Sequence, residues 1–136
     1  MVRKTCILLS MLFIIIGYSA YSTQGQQSLL GRWVGSIDAM GTDSSFQVDF
    51  KLGPQPEGSS ADPRQLILKG TIDSPRHRLK GAELKNVRLD SSRVHFELSF
   101  PTYALFEGNL KNDQISGTYE EGAFRGTFSL KRILLK

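Results

Sequence analysis

A five-residue phrase occurs five times in the chain: an apolar residue, any residue, glycine, a small polar residue, an apolar residue. It reads Trp33-Val34-Gly35-Ser36-Ile37, Leu68-Lys69-Gly70-Thr71-Ile72, Phe106-Glu107-Gly108-Asn109-Leu110, Ile115-Ser116-Gly117-Thr118-Tyr119 and Phe124-Arg125-Gly126-Thr127-Phe128. In an extended strand, alternate residues share one face. Each phrase therefore sets a glycine between two apolar residues on the buried side of a strand. Such a glycine weakens a strand unless a bend, a bulge or a close backbone approach requires it. Five of them point to a strongly curved wall, as in a small closed barrel. Their spacing along the chain is irregular, so they mark a recurring strand device and not a tandem repeat.

The first part of the chain reads differently. Arg3 and Lys4 precede an apolar run from Cys6 to Gly17, and small and polar residues follow to Gln27. This is the three-part pattern of a secretory signal peptide, and its apolar run is short for a bilayer span of roughly 20 residues. Ala20-Tyr21-Ser22 is the best small-x-small cleavage site, giving a signal peptide over 1–22, a disordered leader over 23–29 and a barrel domain over 30–136. Cleavage after Ser19, or an uncleaved anchor, is the competing reading. Cys6 is the only cysteine, so the exported domain has no disulfide and depends on a hydrophobic core; the 114 residues after position 22 are enough for one. Without Arg3 and Lys4 the net charge falls from +4 to +2, too modest to indicate nucleic acid as a partner.

Taken in order, the pattern predicts eight strands. They cover Gly31–Asp38, Ser45–Leu52, Gln65–Ile72, Asn86–Asp90, Arg93–Phe100, Tyr103–Leu110, Ile115–Tyr119 and Ala123–Arg132. The second and fifth alternate most clearly, with Phe46, Val48, Phe50 and Leu52 on one face and Val94, Phe96, Leu98 and Phe100 on the other strand's buried face. Gly53–Pro63, rich in proline, glycine and serine, reads as a mobile surface loop. Arg76–Lys85 has the weakest pattern; Gly81 argues against a helix, although Ala82–Lys85 could form one turn. Short polar turns join the rest. The expected fold is an all-β, single, eight-stranded antiparallel up-and-down barrel, because closure removes exposed sheet edges.

Gly31-x-Trp33 at the start of the first strand resembles the G-x-W signature of lipocalin-like barrels. That resemblance implies Trp33 as a plug at one barrel end beneath a basic side chain of the last strand, with Arg132 best placed and Lys131 second. A guanidinium over an indole is worth about 0.5–2 kcal/mol. A second resemblance runs through Gly31-x-Trp33-x-Gly35-x-Ile37, Leu68-x-Gly70-x-Ile72-Asp73-Ser74-Pro75, Val94-x-Phe96-Glu97, Phe106-x-Gly108-x-Leu110-x-x-Asp113-x-Ile115-x-Gly117-Thr118 and Phe128-x-Leu130-x-Arg132. It is similar to an accessory β domain that precedes secreted bacterial α/β-hydrolases. The chain contains no G-x-S-x-G nucleophile elbow, so this resemblance implies a free-standing accessory-type barrel and transfers no catalytic residue.

The residues themselves offer little chemistry. His95 and Glu97 share an outward face and read as a surface pair, since a metal site needs three or four ligands. His77 falls between Arg76 and Arg78 in a loop. Asp73, Ser74 and His77 can be written as a nucleophile set, but nothing in the spacing brings them together. The expectation is no catalysis, no metal and no cofactor.

Three partner classes remain open. A small apolar or amphiphilic ligand at the mouth opposite Trp33 would be held by Phe46, Phe50, Phe96, Tyr103, Phe106, Tyr119 and Phe124; core filling by the same rings is the plainer alternative. Arg76, Arg78, Lys80, Lys85, Arg88 and Arg93 read either as a solvated face or as a basic rim for an anionic ligand or acidic partner. The other readings are an interaction module for an exported hydrolase and, third, a protease inhibitor with Gly53–Pro63 as its inserting loop. The chain is expected to be secreted or periplasmic, with no stable membrane span after cleavage.

Overall fold

The computed structural model describes residues 29–39, 41–60, 62 and 64–134. The predicted signal peptide and the leader up to position 28 lie outside them. Nine strands form one antiparallel sheet: β1 (Gly31–Ala39), β2 (Thr42–Gly53), β3 (Ile67–Ser74), β4 (Leu79–Glu83), β5 (Lys85–Asp90), β6 (Arg93–Leu98), β7 (Ala104–Lys111), β8 (Gln114–Glu121) and β9 (Phe124–Arg132). Their order is β4-β3-β2-β1-β9-β8-β7-β6-β5. Each strand pairs with its chain neighbour, and β1 pairs with β9 from Trp33↔Arg132 to Ala39↔Gly126. The result is an up-and-down, nearly closed barrel, the general shape that the sequence predicts.

The count of eight becomes nine because Leu79–Glu83, where the pattern predicts no strand, forms one just ahead of the predicted fourth strand. β4 and β5 are the two ends of the sheet, yet only Leu84 separates them. Since β4 is antiparallel to β3, and β5 to β6, the alternating order makes them run the same way. They are successive halves of one broken wall strand. The first half pairs with β3, through Thr71↔Glu83, Ile72↔Ala82 and Ser74↔Leu79. The second pairs with β6, through Lys85↔Glu97 and then Arg88↔His95 to Asp90↔Arg93. Gly81 (φ 63°) and Asn86 (φ 51°) leave extended backbone on either side of the break. A strand carrying two such residues cannot hydrogen-bond to both neighbours along its whole length. The same stretch explains the other departures: β3 continues to Ser74, and Pro75–His77 makes a 3₁₀ turn before β4, so neither a turn at Asp73 nor a helical turn at Ala82–Lys85 forms.

Inward residues of the paired strands form one core. Trp33, Ile37, Val48, Ile72, Phe96, Phe106, Ile115, Tyr119 and Leu130 are all fully buried. Leu29, which the sequence assigns to the leader, is buried as well and accepts a hydrogen bond from Trp33 Nε1–H at 2.8 Å. The glycines of the recurring phrase divide into two kinds. A Cβ on Gly35 would lie 1.7 Å from the Ser129 carbonyl oxygen, and one on Gly117 1.9 Å from that of Glu107. These glycines admit the backbone of the next strand where the wall bends. Gly70 instead meets the Phe50 ring at 3.1 Å, and Gly108 the Phe128 ring at 3.1 Å besides nearby backbone. Both kinds serve a tightly built wall, one by admitting backbone and the other by making room for a ring.

Candidate functional site

The predicted ligand-binding rings do not share one environment. Phe106 stands at the centre of the interior, with ring centroids 4.6 Å from Phe96, 5.0 Å from Tyr119, 5.3 Å from Phe128 and 5.6 Å from Phe46. Phe50 packs edge-on against Phe96 at 5.6 Å. These side chains fill the barrel against one another. Tyr103 and Phe124 lie elsewhere, 54% and 44% exposed, near the start of β7 and of β9; Phe100, beyond the end of β6, is 73% exposed. The pattern placed Phe100 and Phe124 inward by parity, but the barrel ends before parity can bury them.

Arg132, the basic residue that the resemblance names, does stand beside Trp33. Arg132 Cζ lies 4.4 Å from the Trp33 ring centroid. Arg132 Nε donates to Asp113 Oδ1 at 2.9 Å, and its Nη1 donates to the Leu30 carbonyl. These bonds hold the guanidinium beside the indole.

A large opening lies in the wall, where β3 and β5 fail to pair. A cleft of about 1330 Å³ runs between Leu66–Gly70 and Leu84–Ser91, with Leu52 and Pro56 at its edge. It lies at the end of the barrel where β1 begins and β2 finishes, not at the opposite mouth. Its cause is the break at Leu84. The Leu84 N–H bonds to the Gly70 carbonyl at 2.9 Å, and past that point the two strands diverge. Leu68 and Leu84 are buried at its floor, whereas Val87 and Leu89, which face inward on β5, stay partly exposed. Lys69, Lys85 and Arg88 are on its sides, with Glu83 and Asp90.

The predicted basic rim is split. Lys85 and Arg88 belong to this cleft, and Arg88 and Arg93 also line a smaller, polar hollow of about 330 Å³ on the outer faces of β5–β8. Arg76, Arg78 and Lys80 lie at the other end of the barrel, on and after the 3₁₀ turn. Antiparallel pairing separates them from the rest, a distance that adjacency in sequence concealed.

His95 is held more fully than a surface pair. Its Nε2 is 3.1 Å from Glu97 Oε2 and its Nδ1 3.1 Å from Glu107 Oε1. The Tyr103 hydroxyl donates to Glu97 and is the main reason that carboxyl is held below its usual range; burial opposes this, and Asn86 and His95 add to it. The same bond pushes the Tyr103 hydroxyl up.

His77 is buried, not in an open loop. Ser74 Oγ is 2.7 Å from His77 Nδ1, and His77 Nε2 is 2.9 Å from Glu121 Oε2 and 3.2 Å from the Tyr119 hydroxyl. Proline-initiated 3₁₀ geometry turns His77 back over Ser74, which the linear spacing could not reveal. Asp73 is not a member; its Oδ1 accepts from the Gly81 N–H. Burial pushes the Glu121 carboxyl up, but hydrogen bonds from Thr102 and His77 and the charges of His77 and Arg76 outweigh it and hold it below its usual range. A serine, a histidine and a carboxylate do stand in line here. Ser74 has no exposed surface, however, and a nucleophile needs room for a reacting carbon about 3 Å away. The set ties the turn to β8. Among the described residues, no group of three or more histidine, cysteine or acidic side chains could hold a metal.

Sequence reading missed Leu68, Leu84, Val87 and Leu89 as a surface. Alternation at Leu68, Val87 and Leu89 signals strands, but only the unpaired edge leaves Val87 and Leu89 partly exposed above buried Leu68 and Leu84. No protein family, curated protein or solved structure matches the chain.

Proposed function

We propose that the chain is an exported, non-catalytic, lipocalin-like barrel that binds a small apolar or amphiphilic molecule in the cleft between β3 and β5. One observation carries this reading: the inward apolar residues Val87 and Leu89 remain partly exposed over a floor of Leu68 and Leu84, in a cleft large enough for a small molecule. Elsewhere in the wall, pairing and ring packing bury the central inward residues. Apolar surface left open beside a filled interior favours a ligand lying in the wall over one swallowed by the barrel.

The test is native mass spectrometry of the exported protein beside a lipid-extracted sample. A reproducible bound mass that disappears on extraction, and is absent from a Val87→Asp variant, supports the reading. No bound mass, with no uptake of added dodecanol, overturns it.

A second reading is an accessory module beside a separate exported hydrolase. It is favoured by the ring-filled interior together with Phe100, Tyr103 and Phe124 exposed near the barrel end away from the cleft. Loss of a partner's activity or secretion on replacing those three rings, with the cleft intact, would support it.

A further inference from the structure

The cleft and the outer hollow share two residues, Arg88 and Asp90. Alternation along β5 explains how. Val87 and Leu89 face the barrel interior, while Arg88 and Asp90 project from the outer face and reach the free edge of the strand. Pairing carries Arg88 beside His95, then Glu107, then Thr118 across β5–β8. Arg93 begins β6, one two-residue turn beyond Asp90, and stands beside Asn109. An apolar trough and a polar hollow thus meet along a single strand.

Among the described residues, no carboxylate lies within ion-pairing reach of Arg88 or Arg93. Glu107 on the opposite wall is already bonded to His95. An incoming oxyanion therefore meets two guanidiniums without carboxylate partners, with Asn109 and Thr118 as neutral donors and Asp90 and Glu107 as the opposing charges. Arginine is suited to this, since its planar fork binds carboxylate or phosphate oxygens two at a time.

We propose that the hollow between Arg88 and Arg93 is the head-group half of the site, taking a singly placed oxyanion (carboxylate, phosphate or sulfate) on an amphiphile whose tail lies in the cleft. This rests on the cleft reading above. The apolar part of the ligand covers Val87 and Leu89, and its head passes over the edge of β5 to the two arginines.

The test compares dodecyl phosphate, dodecanol, dodecyltrimethylammonium and inorganic phosphate by calorimetric titration below their micellar concentrations. Two charge-assisted contacts predict that dodecyl phosphate binds at least about tenfold more tightly than dodecanol. The advantage shrinks as salt is raised and disappears in an Arg88→Gln/Arg93→Gln double variant, in which dodecyl phosphate and dodecanol then bind alike. Equal binding of dodecyl phosphate and dodecanol, a preference for the ammonium, or an advantage that survives the double variant overturns the head-group assignment and leaves the cleft. Inorganic phosphate binding as tightly as dodecyl phosphate overturns the tail's part and leaves the anion site. No binding by any amphiphile removes both. An unchanged melting temperature in the double variant shows that lost binding is not lost folding.

Discussion

The Arg132 guanidinium lies 4.4 Å from the centre of the Trp33 indole, at the pairing that joins the last strand to the first. The contact spans nearly the whole domain sequence and closes the barrel at the end where β1 begins. Trp33 is fully buried and hydrogen-bonded to Leu29, so its ring fastens the chain ahead of β1 to the barrel.

Replacing Trp33 by alanine is expected to cost about 3–5 kcal/mol, the range for deleting a large buried aromatic. Arg132→Ala should cost less, about 1–3 kcal/mol, from the lost ring contact and hydrogen bonds. Urea unfolding measures both. A Trp33→Ala loss below about 1 kcal/mol would contradict the plug.

The glycines of the recurring phrase should separate by what faces them. Gly35→Ala and Gly117→Ala drive a Cβ into a neighbouring carbonyl, and backbone has little freedom to yield. Their loss should reach or exceed the upper end of the roughly 1–3 kcal/mol typical of overpacking. Gly70→Ala meets side chains, Leu84 at 2.9 Å and Phe50 at 3.1 Å, and should cost less. Thermal unfolding of the three variants checks the order; a costlier Gly70→Ala would refute it.

Stability should fall in acid through Glu97 and Glu121. Both carboxyls titrate below their ordinary value of 4.5 in the folded chain. Such groups contribute stability that is complete above the unfolded pKa and is lost as the pH falls through the folded one. Stability from this source therefore holds from neutrality to about pH 4.5 and declines below it. Glu121→Gln should be least stable relative to the native chain at pH 7, with the gap closing toward pH 3. Urea midpoints across that range decide it, and a constant gap would exclude Glu121 as a source.

Cleft and core should respond independently. Phe106 touches four other rings, and Phe106→Ala is expected to cost about 3–5 kcal/mol. Leu89→Ser removes a partly buried side chain and should cost only about 1–2 kcal/mol, yet it should weaken dodecanol binding at least about tenfold if the cleft takes the tail. Paired unfolding and binding measurements test this; undiminished binding by Leu89→Ser would move the ligand elsewhere.

Much of the wall was legible before any coordinates. Phe46–Leu52 and Val94–Leu98 announce strands because a half-buried strand must alternate, and the alternation needs no knowledge of partners. Gly31-x-Trp33 and the distant Arg132 suggested a closure that the structure contains. The segment from Arg76 to Lys85 failed for a local reason. Its fold depends on Pro75 starting a 3₁₀ turn, on Gly81 and Asn86 at positive φ, and on Leu84 bonding across to Gly70, none of which has a period to read.

By itself, then, the sequence determined an all-β chain with curved strands, an inward set of large rings and glycines where the wall bends, because side-chain alternation and steric size act within a few residues. Only the tertiary structure decided that the rings pack on one another, that Ser74, His77 and Glu121 form a buried chain of hydrogen bonds, and that the wall parts between β3 and β5. Each of those depends on which strand edges meet, and pairing between distant strands is fixed by the competition among all of them. The inward glycine, present in the sequence as a single motif, acquires two meanings from that competition: at Gly35 and Gly117 it admits a backbone, and at Gly70 a ring.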